Sequence, residues 1–253
     1  MYLKQLFLTN YKNLYARQFQ FNKKVSCLIG PNGVGKSNVL DAIYQLAFGK
    51  SFFNPNASQN IAFKKDFYAV EGHFEINSRS EKIICSLKKG QKKQLKRNDK
   101  VYEKLADHIG LIPTVMITPI DRDLILEGSQ VRRKFMDGII GQTNSFFLKN
   151  LLDYQKVLSQ RNALLKYFAL NHTFDQKTLE VYDHQLVELS KPLYQARIEF
   201  IAAYLPLFIA RYQFISAAGE EIDLVYSSDL SDQTMEDLLT KNLAKDKLLQ
   251  YTS

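Results

Sequence analysis

Leu3, Leu6 and Leu8 stand singly among polar residues, and Phe19 and Phe21 alternate with Gln20 and Asn22, which is the spacing of short half-buried strands. Val25-Ser26-Cys27-Leu28-Ile29 is an apolar run with β-branched ends that stops at the turn cluster Gly30-Pro31-Asn32-Gly33. It predicts a buried strand entering a glycine loop. From Ser37 to Phe48 the period becomes helical, with Val39, Leu40, Ile43, Leu46 and Ala47 on one face. Gly49 is a fitting stop, and Lys50 suits the negative end of the helix dipole. Alternation returns at Val70, Gly72, Phe74 and Ile76, then at Ile83 to Leu87, with Lys88 to Lys93 as a hairpin tip. Val101 to Ile109 predicts a short helix, and Val115 to Thr118 a strand ended by Pro119.

Beyond Pro119 the pattern is helical. Two short helices are expected over 121–127 and 130–140, and two long ones over 146–169 and 179–211. The turn Asn171-His172-Thr173-Phe174-Asp175 between the long pair predicts an antiparallel helical arm. The apolar stretch from Phe200 to Ala210 carries Pro206, is too short to span a bilayer and reads as buried helix. Glu221 to Tyr226 reads as strand and Met235 to Gln250 as a last helix.

The chain has 253 residues, 45% hydrophobic and 24% charged, so a core forms without disulfide or metal staples. Cys27 and Cys85 both fall in strand-like runs and read as buried thiols. The N-terminus is too interrupted for a signal peptide, and a soluble, cytoplasmic protein is expected. The net charge is +8, unevenly spread. Residues 1–110 hold 19 Lys and Arg against 8 Asp and Glu, whereas the remainder hold 15 against 18. The basic half is a candidate polyanion surface, set against the commoner case of a solvated Lys-rich face.

That half also carries Gly30-Pro31-Asn32-Gly33-Val34-Gly35-Lys36-Ser37, a full match to the phosphate-loop pattern Gly-x-x-x-x-Gly-Lys-Ser between a predicted strand and helix. Successive backbone N–H groups of such a loop form an anion site, and the following helix turns its positive end towards it. Lys36 is expected to reach the β- and γ-phosphates of ATP, and the Ser37 hydroxyl to coordinate Mg²⁺. Kinases, switches and mechanical ATPases all use this motif, so it does not by itself fix the use made of the bound nucleotide.

The loop with its trailing Asn38 resembles those of the structural-maintenance and Rad50-like branch of the ABC-type ATPases. Leu6-Phe7-Leu8-Thr9-Asn10-Tyr11-Lys12-Asn13 is similar to that branch's opening strand, with Tyr11-Lys12-Asn13 in place of the usual Phe-Arg-Asn. Leu40-Asp41-Ala42-Ile43-Tyr44, Gly49-Lys50-Ser51-Phe52, Ile117-Thr118-Pro119, Gly128 to Asp137 and Leu158 to Leu165 resemble the RecF family of DNA replication and repair proteins.

The resemblance implies an α/β fold: an ABC-type ATPase head, with a mixed sheet and P-loop helix, plus an inserted α-helical arm lobe. Residues 1–118 are then the ATP-binding lobe, 119–216 the helical lobe and 217–253 a return segment towards the first. It further implies ATP-dependent dimerisation and DNA binding at single-strand/double-strand junctions and gaps. RecO and RecR are the implied partners, in loading the RecA recombinase during recombinational repair and the SOS response. By the same resemblance Lys12 and Asn13 become candidate nucleotide contacts.

A signature motif and a Walker B strand with its acidic end are not found in the sequence; Leu189-Ser190-Lys191-Pro192 and Leu224 to Asp229 are poor substitutes. The chain is therefore expected to be an N-terminal portion, the C-terminal half of the head missing, that binds ATP without efficient hydrolysis. No catalytic residue is assigned.

Candidate DNA contacts are Lys88, Lys89, Lys92, Lys93, Lys96 and Arg97 on the predicted hairpin, with Lys100 nearby, and Arg132 and Arg133 beside Lys134. Asn38 and Asp41 read as helix-terminus stabilisers. The four histidines show no metal spacing. Two alternatives are a fragment of another Rad50-like or overcoming-lysogeny-like ATPase, which would need heptads far longer than 179–211, and a metabolic P-loop kinase, which would need an acidic catalytic residue and an Arg-rich lid.

Overall fold

The computed structural model describes residues 1–217 and 219–253, with Ile120 described by its backbone alone. The chain divides into two units, Met1–Arg122 and Asp123–Ser253.

The first unit is a six-stranded antiparallel sheet in the order β2-β1-β3-β4-β5-β6, with one helix against it. Its strands are β1 (Tyr2–Tyr11), β2 (Leu14–Gln20), β3 (Phe67–Ile76), β4 (Arg79–Lys88), β5 (Gln94–Arg97) and β6 (Lys100–Val101), and its helix is α1 (Lys36–Phe48). Period-2 alternation sends Leu6, Leu8, Tyr68, Val70, Phe74, Ile83, Cys85 and Leu95 to one face, where they meet Val39, Ala42 and Leu46 of α1. The helix crosses at Gly72, where an added Cβ would lie 2.5 Å from Leu46 Cδ1. The hairpin turns use Asn77-Ser78 and Asn98-Asp99, all at positive φ, as two-residue turns between twisted strands require.

The second unit is helical: α2 (Asp123–Leu126), α3 (Ser129–Thr143), α4 (Ser145–Leu170), α5 (Gln176–Ser216) and α6 (Met235–Leu249). Asp175 caps α5 by accepting from the N–H groups of Lys177 and Thr178. The pairings Phe147 with Leu193, Val157 with Leu186 and Arg161 with Asp183 run in opposite chain directions, so α4 and α5 form an antiparallel hairpin. Leu239 of α6 joins Val157 and Leu186 in its core. At the centre Arg161 and Asp246, both 0% exposed, are bonded at 2.7 Å, and Arg161 also bonds Asp183 at 2.6 Å and Thr252 at 2.7 Å. The Asp137–Arg197 pair, 2.8 Å at both ends, ties α3 to α5.

Several expectations fail in one physical way. Val25 to Ile29, Val115 to Thr118 and Glu221 to Tyr226 are outside every described strand. The last two keep an alternating burial pattern. Ile29 is 93% exposed, Ile117 84% and Val225 80%. An apolar run becomes a strand only where a neighbouring strand takes its N–H and C=O groups, and among the described residues no strand pairs with these segments. Cys27, expected buried, is exposed for the same reason, whereas Cys85 is buried. The helix expected over 101–109 shrinks to one 3₁₀ turn, Leu105–Asp107, because Val101 is drawn into β6. The stretch from Phe200 to Ala210 belongs to the long helix expected over 179–211, which runs past both of those ends to 41 residues. That helix is long and apolar enough to cross a membrane by length and composition, and its C-terminal end is exposed rather than buried, Phe214 and Ile215 included. Pro192 and Pro206 lie inside it without ending it.

Candidate nucleotide-binding site

The phosphate loop leads into α1, whose first residue is Lys36, with Gly35 as its N-cap in the left-handed region at φ 102°. Residues 30–34 are exposed, so the backbone N–H groups of the loop and of the first turn of α1 face solvent at the positive end of the helix. The Lys36 ammonium donates to the carbonyls of Gly30 and Pro31, each at 2.8 Å. Those bonds hold the lysine over its own loop, where a phosphate oxygen would compete for it. Ser37, on the first helical turn, presents a hydroxyl beside the same N-terminus.

The tip of the β1–β2 hairpin closes the other side. Lys12 sits at φ 51°, in the left-handed region. Asn13 Nδ2 donates to the Gly33 carbonyl at 2.9 Å, and Asn38 Nδ2 donates to Asn13 Oδ1 at 2.8 Å. Asn13 thus joins the hairpin to both the loop and the helix after it. The segment after α1 braces the hairpin from outside: Lys12 N–H donates to the Asn60 carbonyl and Ala62 N–H to the Asn10 carbonyl, both at 2.8 Å.

Lys12 itself turns inward. Its ammonium lies 2.5 Å from Asp41 Oδ2, with 11% of the side chain exposed. Of the two residues expected at the nucleotide, Asn13 stands against the loop, while the Lys12 amine is engaged by Asp41. Asp41 is no helix-terminus stabiliser: it is fully buried and also accepts from Tyr11 Oη at 2.7 Å, Ser51 Oγ at 2.7 Å and Phe52 N–H at 2.6 Å. Burial opposes its ionised form, but the bonds from Lys12, Tyr11 and Ser51 outweigh burial and hold its pKa below the usual carboxylate range. Burial, with Asp41 beside it, pushes the Tyr11 phenol far upward. The signal in the sequence was an acid one helical turn past the loop, next to apolar positions where an unpaired charge is not tolerated.

The basic candidates divide. Lys88, Lys89 and Lys92 are exposed around the β4–β5 turn, with Lys93 and Lys96 partly exposed beyond it. Lys89 has Asp66 at 3.4 Å. Arg97 is committed: it grips Glu81 with two bonds of 2.8 and 2.7 Å, holding that carboxyl below its usual range. In the helical unit Arg132 donates to the carbonyls of Leu124 and Glu127, and Arg133 to Ser129 Oγ. Both side chains are exposed. Among the described residues no group of three His, Cys, Asp or Glu could hold a metal ion.

A P-loop at a helix N-terminus, stitched to the tip of the first hairpin and followed by a helical unit, defines an ATPase head of the ABC and SMC type. Residues 2–190 match the RecF/RecN/SMC N-terminal domain family. The whole chain is 53% identical to the DNA replication and repair protein RecF of Flavobacterium johnsoniae, covering 70% of that protein, and 40% identical to that of Phocaeicola vulgatus, covering 67%. It superposes over its full length, and over 70% of the other chain, on the ATP-bound recombination mediator protein RecF of the RecFOR pathway, at TM-score 0.88 and 28% identity. A second structure of that protein gives 0.91. The chain belongs to the RecF family of DNA replication and repair proteins.

Proposed function

We propose that this chain binds Mg-ATP through residues 30–37 and uses the bound nucleotide to engage DNA at single-strand/double-strand junctions in recombinational repair. The observation that carries it is the loop geometry: an exposed run of backbone donors at the N-terminus of α1, with Lys36 hydrogen-bonded to the Gly30 and Pro31 carbonyls, which a phosphate oxygen would replace. Support comes also from the ATP named with the superposed RecF structure.

Gly30, Pro31, Asn32, Gly33, Val34 and Gly35 would wrap the phosphates, Lys36 would turn from the Gly30 and Pro31 carbonyls to the β- and γ-oxygens, and Ser37 would ligate the metal. Mg²⁺, when bound, neutralises charge between those oxygens. Asn13 holds the loop in place. An acidic pair that activates water is not found beside this loop in the sequence, and the chain by itself is read as binding without efficient turnover.

The DNA reading rests on the charge excess of the first 110 residues and on the lysines of the β4–β5 turn. The family supports a role with RecO and RecR in loading RecA, an ATP-dependent homodimer and a cytoplasmic location. Titration with a fluorescent ATP analogue in Mg²⁺ tests the nucleotide reading. Saturable binding that Lys36→Ala weakens about 10- to 100-fold supports it; equal binding by the variant removes it. Gapped duplex bound more tightly with ATP than without tests the DNA reading.

A further inference from the structure

Asp41 lies on the second turn of α1, removed from the loop, yet a short chain of bonds runs from it to the Gly33 carbonyl. Its carboxylate holds the Lys12 ammonium at 2.5 Å. Lys12 occupies a left-handed conformation, at φ 51°, that a residue with a side chain adopts only when its surroundings hold it there. Asn13 follows it directly and bonds Gly33 and Asn38. The loop has few other side-chain ties: Lys36 bonds Gly30 and Pro31 from within the loop itself. The same carboxylate also fixes Ser51 and the Phe52 backbone, so one buried charge gathers the hairpin tip, the P-loop helix and the segment leaving that helix.

We infer that Asp41 is a positioning residue for the nucleotide site: through Lys12 it fixes the β1–β2 turn, so that Asn13 holds the phosphate loop open for a nucleoside triphosphate. The inference rests on the nucleotide reading above. A flexible glycine loop must be ordered before its N–H groups converge on a phosphate, and ordering it in advance saves that cost at binding. A lysine whose ammonium is spent on a buried carboxylate orients the residue beside it, which is a different task from touching the ligand.

The test uses the 253-residue chain and two measurements. One is affinity for a fluorescent ATP analogue with Mg²⁺; the other is amide hydrogen exchange of the segment 28–36 without nucleotide. Asp41→Asn, Lys12→Met and Asn13→Ala should each weaken binding about tenfold and speed exchange in that segment. Lys12→Arg, which keeps a cation for Asp41, should restore most of both. Asp41→Asn leaves a buried site with fewer charges and is the variant most exposed to misfolding; Asn13→Ala, on the exposed tip, keeps the test open if it fails to fold. Ile83→Val, a core truncation on β4, controls for stability: its melting temperature should fall and its affinity stay unchanged.

Weakened binding by Lys12→Met with unchanged exchange would mean that Lys12 touches the nucleotide, and would overturn the positioning role. So would faster exchange with unchanged affinity, or failure of Lys12→Arg to rescue. A wild-type chain that does not bind the analogue removes the nucleotide reading instead, and the exchange arm still decides whether Asp41 holds the loop.

Discussion

Gly35 and Asn13 lie so close that one dictates the other: a Cβ on Gly35 would sit 2.7 Å from Asn13 Oδ1 and 2.9 Å from Leu14 Cδ2. The glycine is required twice over, because its φ of 102° is also one that L side chains rarely adopt. Gly35→Ala should therefore displace Asn13 from Gly33 and strain the N-cap of α1, costing about 1–3 kcal/mol of stability. Urea unfolding measures the loss, and affinity for an ATP analogue should fall in the same variant. An alanine that leaves both unchanged would show that the turn moves aside freely.

Lys36→Ala is the complementary change. Lys36 makes its two bonds to exposed loop carbonyls, so its removal should leave the melting temperature within a few degrees of wild type. A charge-assisted bond to phosphate contributes about 1.5–3 kcal/mol, so nucleotide affinity should fall about 10- to 100-fold. Isothermal titration of both chains in the same buffer reads the difference.

The legibility of each element in the sequence depends on where its signal sits. The phosphate loop and α1 are local: glycine spacing, a Lys-Ser pair and a helical period suffice. The antiparallel arm was legible because a turn separates two long periodic runs. The segments 25–29, 115–118 and 221–226 were misread because an apolar run records only a preference for extended backbone, and the ladder partners that make a strand lie elsewhere. Asp41 was underrated because its partners Tyr11, Lys12 and Ser51 are 30, 29 and 10 residues away, separations over which no local pattern speaks.

His108 gives the first unit a pH dependence. The ring is fully buried; Nε2–H donates to the Leu46 carbonyl at 2.6 Å and Nδ1 has no partner among the described residues. Burial lowers its pKa, only partly offset by that bond. A histidine with a depressed folded pKa contributes stability above its unfolded pKa of about 6.5 and loses it as pH falls below that, because only the unfolded chain takes up the proton. Stability should decline between pH 6.5 and 5 with a slope of at most about 1.4 kcal/mol per pH unit from this residue. His108→Gln should flatten that part of the urea-unfolding profile; an unchanged slope would assign it to other groups.

Arg161 should be the most sensitive position of the helical unit. Its guanidinium serves Asp183, Asp246 and Thr252, and Asp246 is as buried as Arg161 itself. Arg161→Ala leaves a buried carboxylate uncompensated, for which about 3–5 kcal/mol of destabilisation is expected. Adding Asp246→Asn should recover part of that loss, since the stranded charge is then gone. Chemical unfolding of the two variants side by side measures the recovery, and none at all would place the cost in lost packing.

The basic hairpin yields a prediction that separates its residues by what they already hold. Lys88 and Lys92 are exposed at the β4–β5 turn, whereas Arg97 is locked by two bonds to Glu81, a carboxylate 8% exposed. A phosphate contact releases counterions, so each lysine that touches DNA adds roughly one unit to the slope of log affinity against log salt. Replacing Lys88, Lys89, Lys92 and Lys93 by Ala should lower affinity for gapped duplex and flatten that slope by about 2–4, without changing the melting temperature. Arg97→Ala should do the reverse: it takes the charged partner from Glu81 (which keeps the Asn98 Nδ2 bond at 2.7 Å), lowers the melting temperature and leaves the slope within one unit of wild type. Fluorescence anisotropy across a salt series reads both variants. A quadruple variant with an unaltered slope would move the DNA surface off this hairpin, towards Arg132 and Arg133, whose exposed side chains bond to the Leu124 and Glu127 carbonyls and to Ser129 Oγ.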